Sequence, residues 1–343
     1  MTVRVSKPAF NLRDKLSELD KPTGLKGTEL MRSETSQEVR DLINSGRKNI
    51  IINGDFQIAQ RATSNNTTGA QSTYHTLDRW MTQIQSGTIT ESQQSLSSSD
   101  SGPWQKGFRR YMRILNQSGI GAGAAQYAEI DQRVEAQDIA SSGWDYTSSS
   151  SYITLSFWIR ASVAQNYIVN MYANDGTNRH FPFEVALSAN TWTKVTKSIP
   201  GNSGITVNND SSNGITIAFI ASYGTNYTSN NGYFNTWNTT GGGTNRWPDM
   251  ATTWSTTTNA TFDITGVQLE AGSIATSFEH RPYAEELELC QRYYQKRQLL
   301  GCCSTGFSQS GGGYNSHLMN IPLPVKMRAI PQVTFDNGTQ SGC

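Results

Sequence analysis

The stretch "YITLSFWIRAS", residues 152–162, decides the fold. Ile153, Leu155, Phe157 and Ile159 fall on one side of it, and Thr154, Ser156, Trp158 and Arg160 fall on the other. That is the period of two expected of a strand with one face in a core. Weaker versions of the pattern run outward in both directions. Upstream, residues 80–89 are mixed and extended, Met112 and Ile114 share a side within 109–115, and Ala128 and Ile130 oppose Tyr127, Glu129 and Asp131. Downstream come 168–172, 181–187, 191–199, 215–221 and 262–269, most of them separated by Ser, Gly or Asn clusters. Many strands without a long helix between them predict a mainly β chain, an antiparallel β-sandwich or jelly roll. Residues 50–52, a β-branched run before the Asn53-Gly54-Asp55 turn signal, are expected to be a strand at its start.

At 343 residues the chain has room for two or three structural units, taking about 150 residues per domain as a guide. Only 16% of residues are charged and the net charge is +1. Ser, Thr, Asn and Gly stand in for the missing charge, which suits a β-rich exterior protein. There is no electrostatic ground for nucleic acid or an anionic membrane as partner. No stretch approaches the ~18 consecutive apolar residues of a membrane span. Residues 1–10 hold no apolar run of the signal-peptide kind, so synthesis in a cytoplasm without secretory export is expected. The cysteines are Cys290, Cys302, Cys303 and Cys343, so no disulfide framework holds the main body. Adjacent Cys302 and Cys303 suit neither a mutual bond nor a zinc site.

Charge crowds residues 1–49, whereas residues 201–262 hold only Asp210, Arg246 and Asp249. In the first segment Leu12, Leu16 and Leu19 form a short helical stripe, broken by Pro22 and Gly24. Thr35 and Glu38 make a capping box before Val39, Leu42 and Ile43, and Gly46 sits where a C-cap belongs. Such short helices need a surface to bury against. That surface is either the chain's own body or another protein to which the arm attaches. A further helix is signalled after Phe278. Pro282 suits a first turn, Glu285, Glu286 and Glu288 come early, Arg292, Lys296 and Arg297 come late, and Gly301 ends it. Tyr283, Leu287, Cys290 and Tyr294 form its stripe, which either packs on its own sandwich or meets copies of itself about a threefold axis. Two strand-like pieces, 317–321 and 332–335, follow.

Several segments resemble tail-fibre and related structural proteins of marine and cyanobacterial short-tailed phages. These are "KLSELDKPTGLKGTELMRSETSQEVRDLINSGRKN" (15–49), "IINGDFQIAQRAT" (51–63), "YHTLDRW" (74–80), "FDITGVQLEAGSIATSFEHRPYAEELELCQRYYQK" (262–296) and "LPVKMRAIPQVTF" (323–335). The long piece at 262–296 is the most specific. The middle, with "YAEIDQRVEAQDI" (127–139) and "TWTKVTKSIPG" (191–201), is also similar to the jelly rolls of carbohydrate-binding modules. The resemblance implies a virion protein, commonly a homotrimer, held by its N-terminal part to other phage tail proteins while the rest faces the host. In many such jelly rolls a structural calcium lies where the first and last strands pair. The resemblance would put it near Asp55, Asp263 and Glu270, but Gln57 replaces the expected Glu and removes a charged ligand.

For binding, residues 223–254 carry Tyr223, Tyr227, Tyr233, Phe234, Trp237, Trp247 and Trp254 among Asn, Thr and Gly. Sugar rings stack their C–H faces on indoles while amides and carboxylates take the hydroxyls. Trp237, Trp247, Asp249 and Trp254 are therefore the candidate glycan contacts. The alternative is that the rings anchor a long loop or pack between subunits. Glu129, Asp131 and Glu135 share a strand face, with neighbours about 7 Å apart. That approaches a glycosidase spacing, and it is also what a solvated acidic strand gives. The histidines, His75, His180, His280 and His317, show no metal spacing. No nucleophile elbow, phosphate loop or dinucleotide fingerprint occurs, so no enzyme, metal or cofactor is expected. The expectation is a three-part chain: a helical virion-attachment arm (1–49), a carbohydrate-binding-like sandwich (50–279), and a helix with a β tail (280–343). It would sit in the virion tail and bind host cell-surface polysaccharide without membrane insertion. A structural connector and a polysaccharide-degrading enzyme are the alternatives.

Overall fold

The computed structural model of the chain describes Arg32 and residues 47–229, 233–239, 247–297 and 322–334. The arm residues Leu12, Leu16, Leu19, Val39, Leu42 and Ile43 lie outside the described residues, as do Cys302, Cys303 and Cys343.

Fourteen strands occur among the described residues. They are β1 (Ser64–Thr68), β2 (Gln71–Thr73), β3 (Trp80–Ile84), β4 (Thr88–Ser95), β5 (Arg110–Ser118), β6 (Tyr127–Glu135), β7 (Tyr152–Ala161), β8 (Gln165–Ala173), β9 (Arg179–Leu187), β10 (Thr193–Pro200), β11 (Asn213–Tyr223), β12 (Thr228–Ser229), β13 (Trp247–Pro248) and β14 (Ala260–Ala271). Helices are short: α1 (Ala136–Ala140), α2 (Thr253–Thr256) and α3 (Tyr283–Gln291). One six-stranded sheet runs β1-β4-β5-β14-β7-β10 and the other β2-β3-β6-β11-β8-β9; every pairing within them is antiparallel. The chain is a mainly β, two-sheet antiparallel sandwich, as the alternation in β7 requires.

The inward sets meet in one core. Ile153, Leu155, Phe157 and Ile159 of β7 face Ile215, Ile217 and Phe219 of β11, with Phe157 edge-on to Phe219 at 4.9 Å. Alternation fails at one place in β14, where the register with β7 shifts between Thr265 and Gln268. Gly266 at φ 61° makes the bulge, and a Cβ there would lie 2.5 Å from Phe108. Residues 50–52, expected as a strand, are not one. The Ile50 N–H donates one backbone bond to the Leu269 carbonyl, but Asn53 and Phe56 turn to positive φ. At Gly54 a Cβ would sit 2.1 Å from the Val267 carbonyl, so the segment is bent into the sandwich end instead of running along it.

Helix α3 ends at Gln291, short of Gly301, because the next turn is drawn onto the body. Arg292 grips Glu135 through Nε (3.0 Å) and Nη2 (2.8 Å), and Tyr293 lies under Arg79 at 3.5 Å. Glu279 accepts from the backbone N–H of Lys48 and of Asn49, each at 2.7 Å. The expected stripe is divided: Tyr283 is exposed, Leu287 is half-buried, Cys290 is wholly buried, and Tyr294 lies under Arg61 at 3.8 Å. The helix thus packs on its own chain. Residues 332–334 form no strand.

Candidate functional site

The outward faces of the two sheets differ. On the first, Trp158 is covered by an apolar cluster that includes Leu96, Phe108, Tyr111 and Phe278. On the second, residues 224–229 and 247–256 fold back over part of the face. There Trp247 is wedged against Tyr172 (5.2 Å), His180 (5.0 Å) and Tyr223 (5.9 Å). The rest of that face stays open as a cavity of about 290 Å³.

Antiparallel register builds this cavity. Gln83 of β3 stands opposite Glu129 of β6, and Met81 opposite Asp131. Arg133 stands opposite Thr216 of β11, which stands opposite Tyr172 of β8. Tyr127, Tyr223 and Tyr227 close one end as three rings with centroids 5.3–5.8 Å apart. At the floor the Gln83 amide donates to Glu129 Oε1 (2.9 Å) and Asp131 Oδ2 (3.1 Å), while Ser72 holds its oxygen at 2.9 Å. The Tyr223 hydroxyl donates to Glu129 Oε2 at 2.8 Å. Across the cavity, Asn213 donates to the Thr216 hydroxyl, which donates to Asn174, both at 2.9 Å.

Two acceptors are left over: Asp131 Oδ1 and Asn213 Oδ1 are buried and have no hydrogen-bond partner among the described residues. Burial, then the nearby Glu129 charge, pushes the Asp131 carboxyl well above the ordinary range; Arg133 and Gln83 pull the other way without prevailing. Burial, reinforced by Glu129, also raises the Tyr223 phenol. The arrangement can accept hydrogen bonds from hydroxyls and offer tyrosine faces to C–H groups.

The sequence candidates are placed elsewhere. Trp237, Trp247 and Trp254 are 9%, 1% and 0% exposed, so they form no open platform. Trp237 packs on Phe181 and donates to the Pro200 carbonyl, and Trp254 packs on Phe262. Asp249 is exposed and lines neither this cavity nor its neighbour. A long loop nearly free of charge needs anchors, and the indoles are those anchors. Glu135 is separated from Glu129 and Asp131 and is tied to Arg292. Burial would raise its carboxyl, and Arg292 overcomes that and holds it below the usual range.

The carboxylates near which the resemblance would put a calcium are engaged with side chains and backbone of the chain itself. Asp263 accepts from Arg113 (2.7 and 2.9 Å) and Arg160 (3.0 Å), and Glu270 accepts from the Thr276 N–H at 2.9 Å. Asp55 accepts from Gln57. Among the described residues no three His, Cys, Asp or Glu side chains converge on one point.

Gln83, Tyr172, Asn174 and Thr216 were not legible as site residues in the sequence. The available signal was the alternation Tyr127, Glu129, Asp131, Arg133, which reads equally well as a solvated strand.

No protein-family model matches the chain, and no curated protein does. Among solved structures it is similar to the enzymatically active domain of tailspike protein 4 from bacteriophage CBA120, at 9% identity and TM-score 0.34, over 65% of this chain and 21% of that one. A putative sugar-binding protein from Bacteroides thetaiotaomicron shares 14% identity at TM-score 0.36, over 66% of this chain and all of that one. The module TmCBM61, solved with β-1,4-galactotriose, shares 10% identity at TM-score 0.30, over 66% and 100%. The chain spans about a fifth of the tailspike domain's length. Scores this low carry no argument, and the architecture rests on the strand pairings above.

Proposed function

We propose that the protein is a glycan-binding component of a phage tail, which uses the open part of the second sheet to hold host cell-surface polysaccharide. The observation that carries the binding reading is the pair of orphaned acceptors, Asp131 Oδ1 and Asn213 Oδ1, in a tyrosine-walled cavity. An unsatisfied buried acceptor costs about 1–3 kcal/mol, which a hydroxyl-rich ligand offsets by donating to it. A sugar ring also matches the Tyr127 face. The tail assignment and the trimer come from the sequence resemblance, strongest at 262–296, and trimerisation would multiply weak single-site affinity.

The reading is binding without hydrolysis. Both Glu129 oxygens are occupied, by Gln83 and by Tyr223, and its residue is only 5% exposed, which leaves a poor nucleophile or base. The test is affinity electrophoresis of the full chain in gels containing host-envelope polysaccharides, beside Tyr127→Ala. Retardation that the substitution relieves supports the reading, and equal mobility in every polysaccharide overturns it. Release of reducing ends by wild type but not by Glu129→Gln would make the protein a hydrolase.

A further inference from the structure

A second cavity, of about 390 Å³, adjoins the first; Arg133 and Asn213 line both. It lies where the lead into β3, the end of β6, the turn after α3 and residues 327–332 meet. Five guanidinium groups (Arg61, Arg79, Arg133, Arg292, Arg328) and two carboxylates (Asp78, Glu135) line it, a net of three positive charges. The whole chain carries only +1, so this is a local concentration and no echo of composition.

Both carboxylates are already taken. Arg61 meets Asp78 at 2.8 Å, and Arg292 holds Glu135 with two nitrogens. Arg79, Arg133 and Arg328 form no salt bridge with either carboxylate of this cavity, and Arg79 only shares the field of Asp78 and Glu135 with the arginines already paired to them. Arg79 is 7% exposed and stacked on Tyr293; one terminal nitrogen donates to the Arg133 carbonyl, but its Nε has no hydrogen-bond partner among the described residues. Arg328 donates from Nη1 to the Ser211 carbonyl at 2.9 Å, and its backbone N–H donates to the Arg292 carbonyl at 2.9 Å, which fixes that segment over the cavity. The Arg133 side chain is about half exposed, and its nearest carboxylate, Asp131 at 4.0 Å, belongs to the first cavity.

Five guanidiniums gathered around two carboxylates leave an excess of positive charge that repels itself, and a buried guanidinium with an empty N–H is costly. An anion that bonds to two forks at once relieves both, and guanidinium geometry suits the oxygens of carboxylate, sulfate and phosphate. Stacking on Tyr293 and Tyr294 holds Arg79 and Arg61 in place beforehand. The volume suits one substituted sugar residue.

We propose that this arginine-lined cavity takes the anionic substituent of the glycan whose neutral part occupies the tyrosine-walled cavity, so that the ligand class is acidic polysaccharide. This rests on the carbohydrate-binding reading of the first cavity. Arg133, at the seam, touches both parts of the ligand.

The test compares a polyuronate with its carboxyl-reduced, neutral form as ligands for the full chain, together with a sulfated polymer and its desulfated form. Wild type binds the anionic member of a pair at least about tenfold more tightly, as two charge-assisted contacts predict, and the preference shrinks with added salt. Arg328→Glu abolishes the preference and leaves neutral-polymer binding unchanged. Which pair shows the larger difference tells a carboxylate from a sulfate. Equal binding within both pairs, or an undiminished preference in Arg328→Glu, overturns the proposal. A second measurement separates the two readings: the rise in Tm with sodium sulfate over sodium chloride at matched ionic strength. An Arg328-dependent rise with no polymer binding keeps the anion cavity and removes the glycan reading. No rise and no polymer binding removes both.

Discussion

Asp263 and Asp131 are both buried carboxylates on outward faces of the sandwich, one on each sheet, and the molecule treats them in opposite ways. Asp263 is enclosed by Arg113 and Arg160, which reach it from the two flanking strands. It is a strut, and the apolar cluster around Phe108 and Trp158 closes that face beside it. Asp131 has another carboxylate, Glu129, on its own strand, one shared amide, and an oxygen with no hydrogen-bond partner among the described residues. A buried acid with its charge answered marks structure. A buried acid left unanswered beside a cavity marks a place for a ligand.

The comparison can be broken most directly at Asp263. Replacing it by Asn leaves the partly buried Arg113 without its carboxylate and Arg160 with Asp100 alone, and a loss of about 4 kcal/mol in urea unfolding is expected. A loss below 1 kcal/mol would mean that the strut is only a surface ion pair. Trp247→Ala comes next. This indole is an anchor of the covered part of the second face, so the variant should lose about 3 kcal/mol of stability, measured by the same unfolding curves. A fully stable variant with impaired glycan binding would restore Trp247 as a contact residue.

Glu91 sharpens the rule, because it is a buried acid that no described arginine or lysine pairs with, and burial pushes its carboxyl up to about 7. A raised folded-state value means that the native protein holds the proton more tightly than the unfolded chain. The associated stability is full below about 4.5 and is lost as pH rises through about 7. At pH 8 Glu91→Gln should be more stable than wild type by about 2 kcal/mol, and its stability should vary less across that window. A pH profile unchanged by the substitution would show that Glu91 is not the group responsible.

Two smaller effects concern the open face. Tyr127→Ala should weaken polysaccharide binding about tenfold while the unfolding midpoint stays put, since a stacking ring contributes on the order of 1 kcal/mol. Asp131→Asn should change stability by less than about 1 kcal/mol at neutral pH, because it replaces an acid whose charge is already disfavoured. For the raised Asp131 carboxyl, as for Glu91, stability falls as pH rises above the ordinary Asp range, and the Asn variant should lose that part of the slope. A loss as large as that of Asp263→Asn would erase the distinction between the two faces.

The sandwich was legible because a strand's side chains alternate in space as they do in sequence. β7 was recognisable from that pattern alone, and β9, β11 and β14 as runs set between Ser, Gly or Asn clusters. Residues 50–52 were misread for the complementary reason: β-branched residues favour strands, but Asn53 turns to positive φ with its side chain bonded to Ile58 and Asp78, and Gly54 lies against Val267, far along the chain. The tryptophans were misread because composition names a residue suited to stacking but does not say which side of it meets water.

What the sequence determined by itself is therefore the class of fold, the excess of polar uncharged surface and the placing of helix signals after Phe278. Each depends on near neighbours along the chain. The tertiary structure alone decided that Gln83 would bridge Glu129 and Asp131, that Trp247 would seal one part of a face and leave another open, and that five arginines from four segments would gather around two carboxylates. Those outcomes depend on strand order and register across two sheets, and no local periodicity encodes which strands become neighbours.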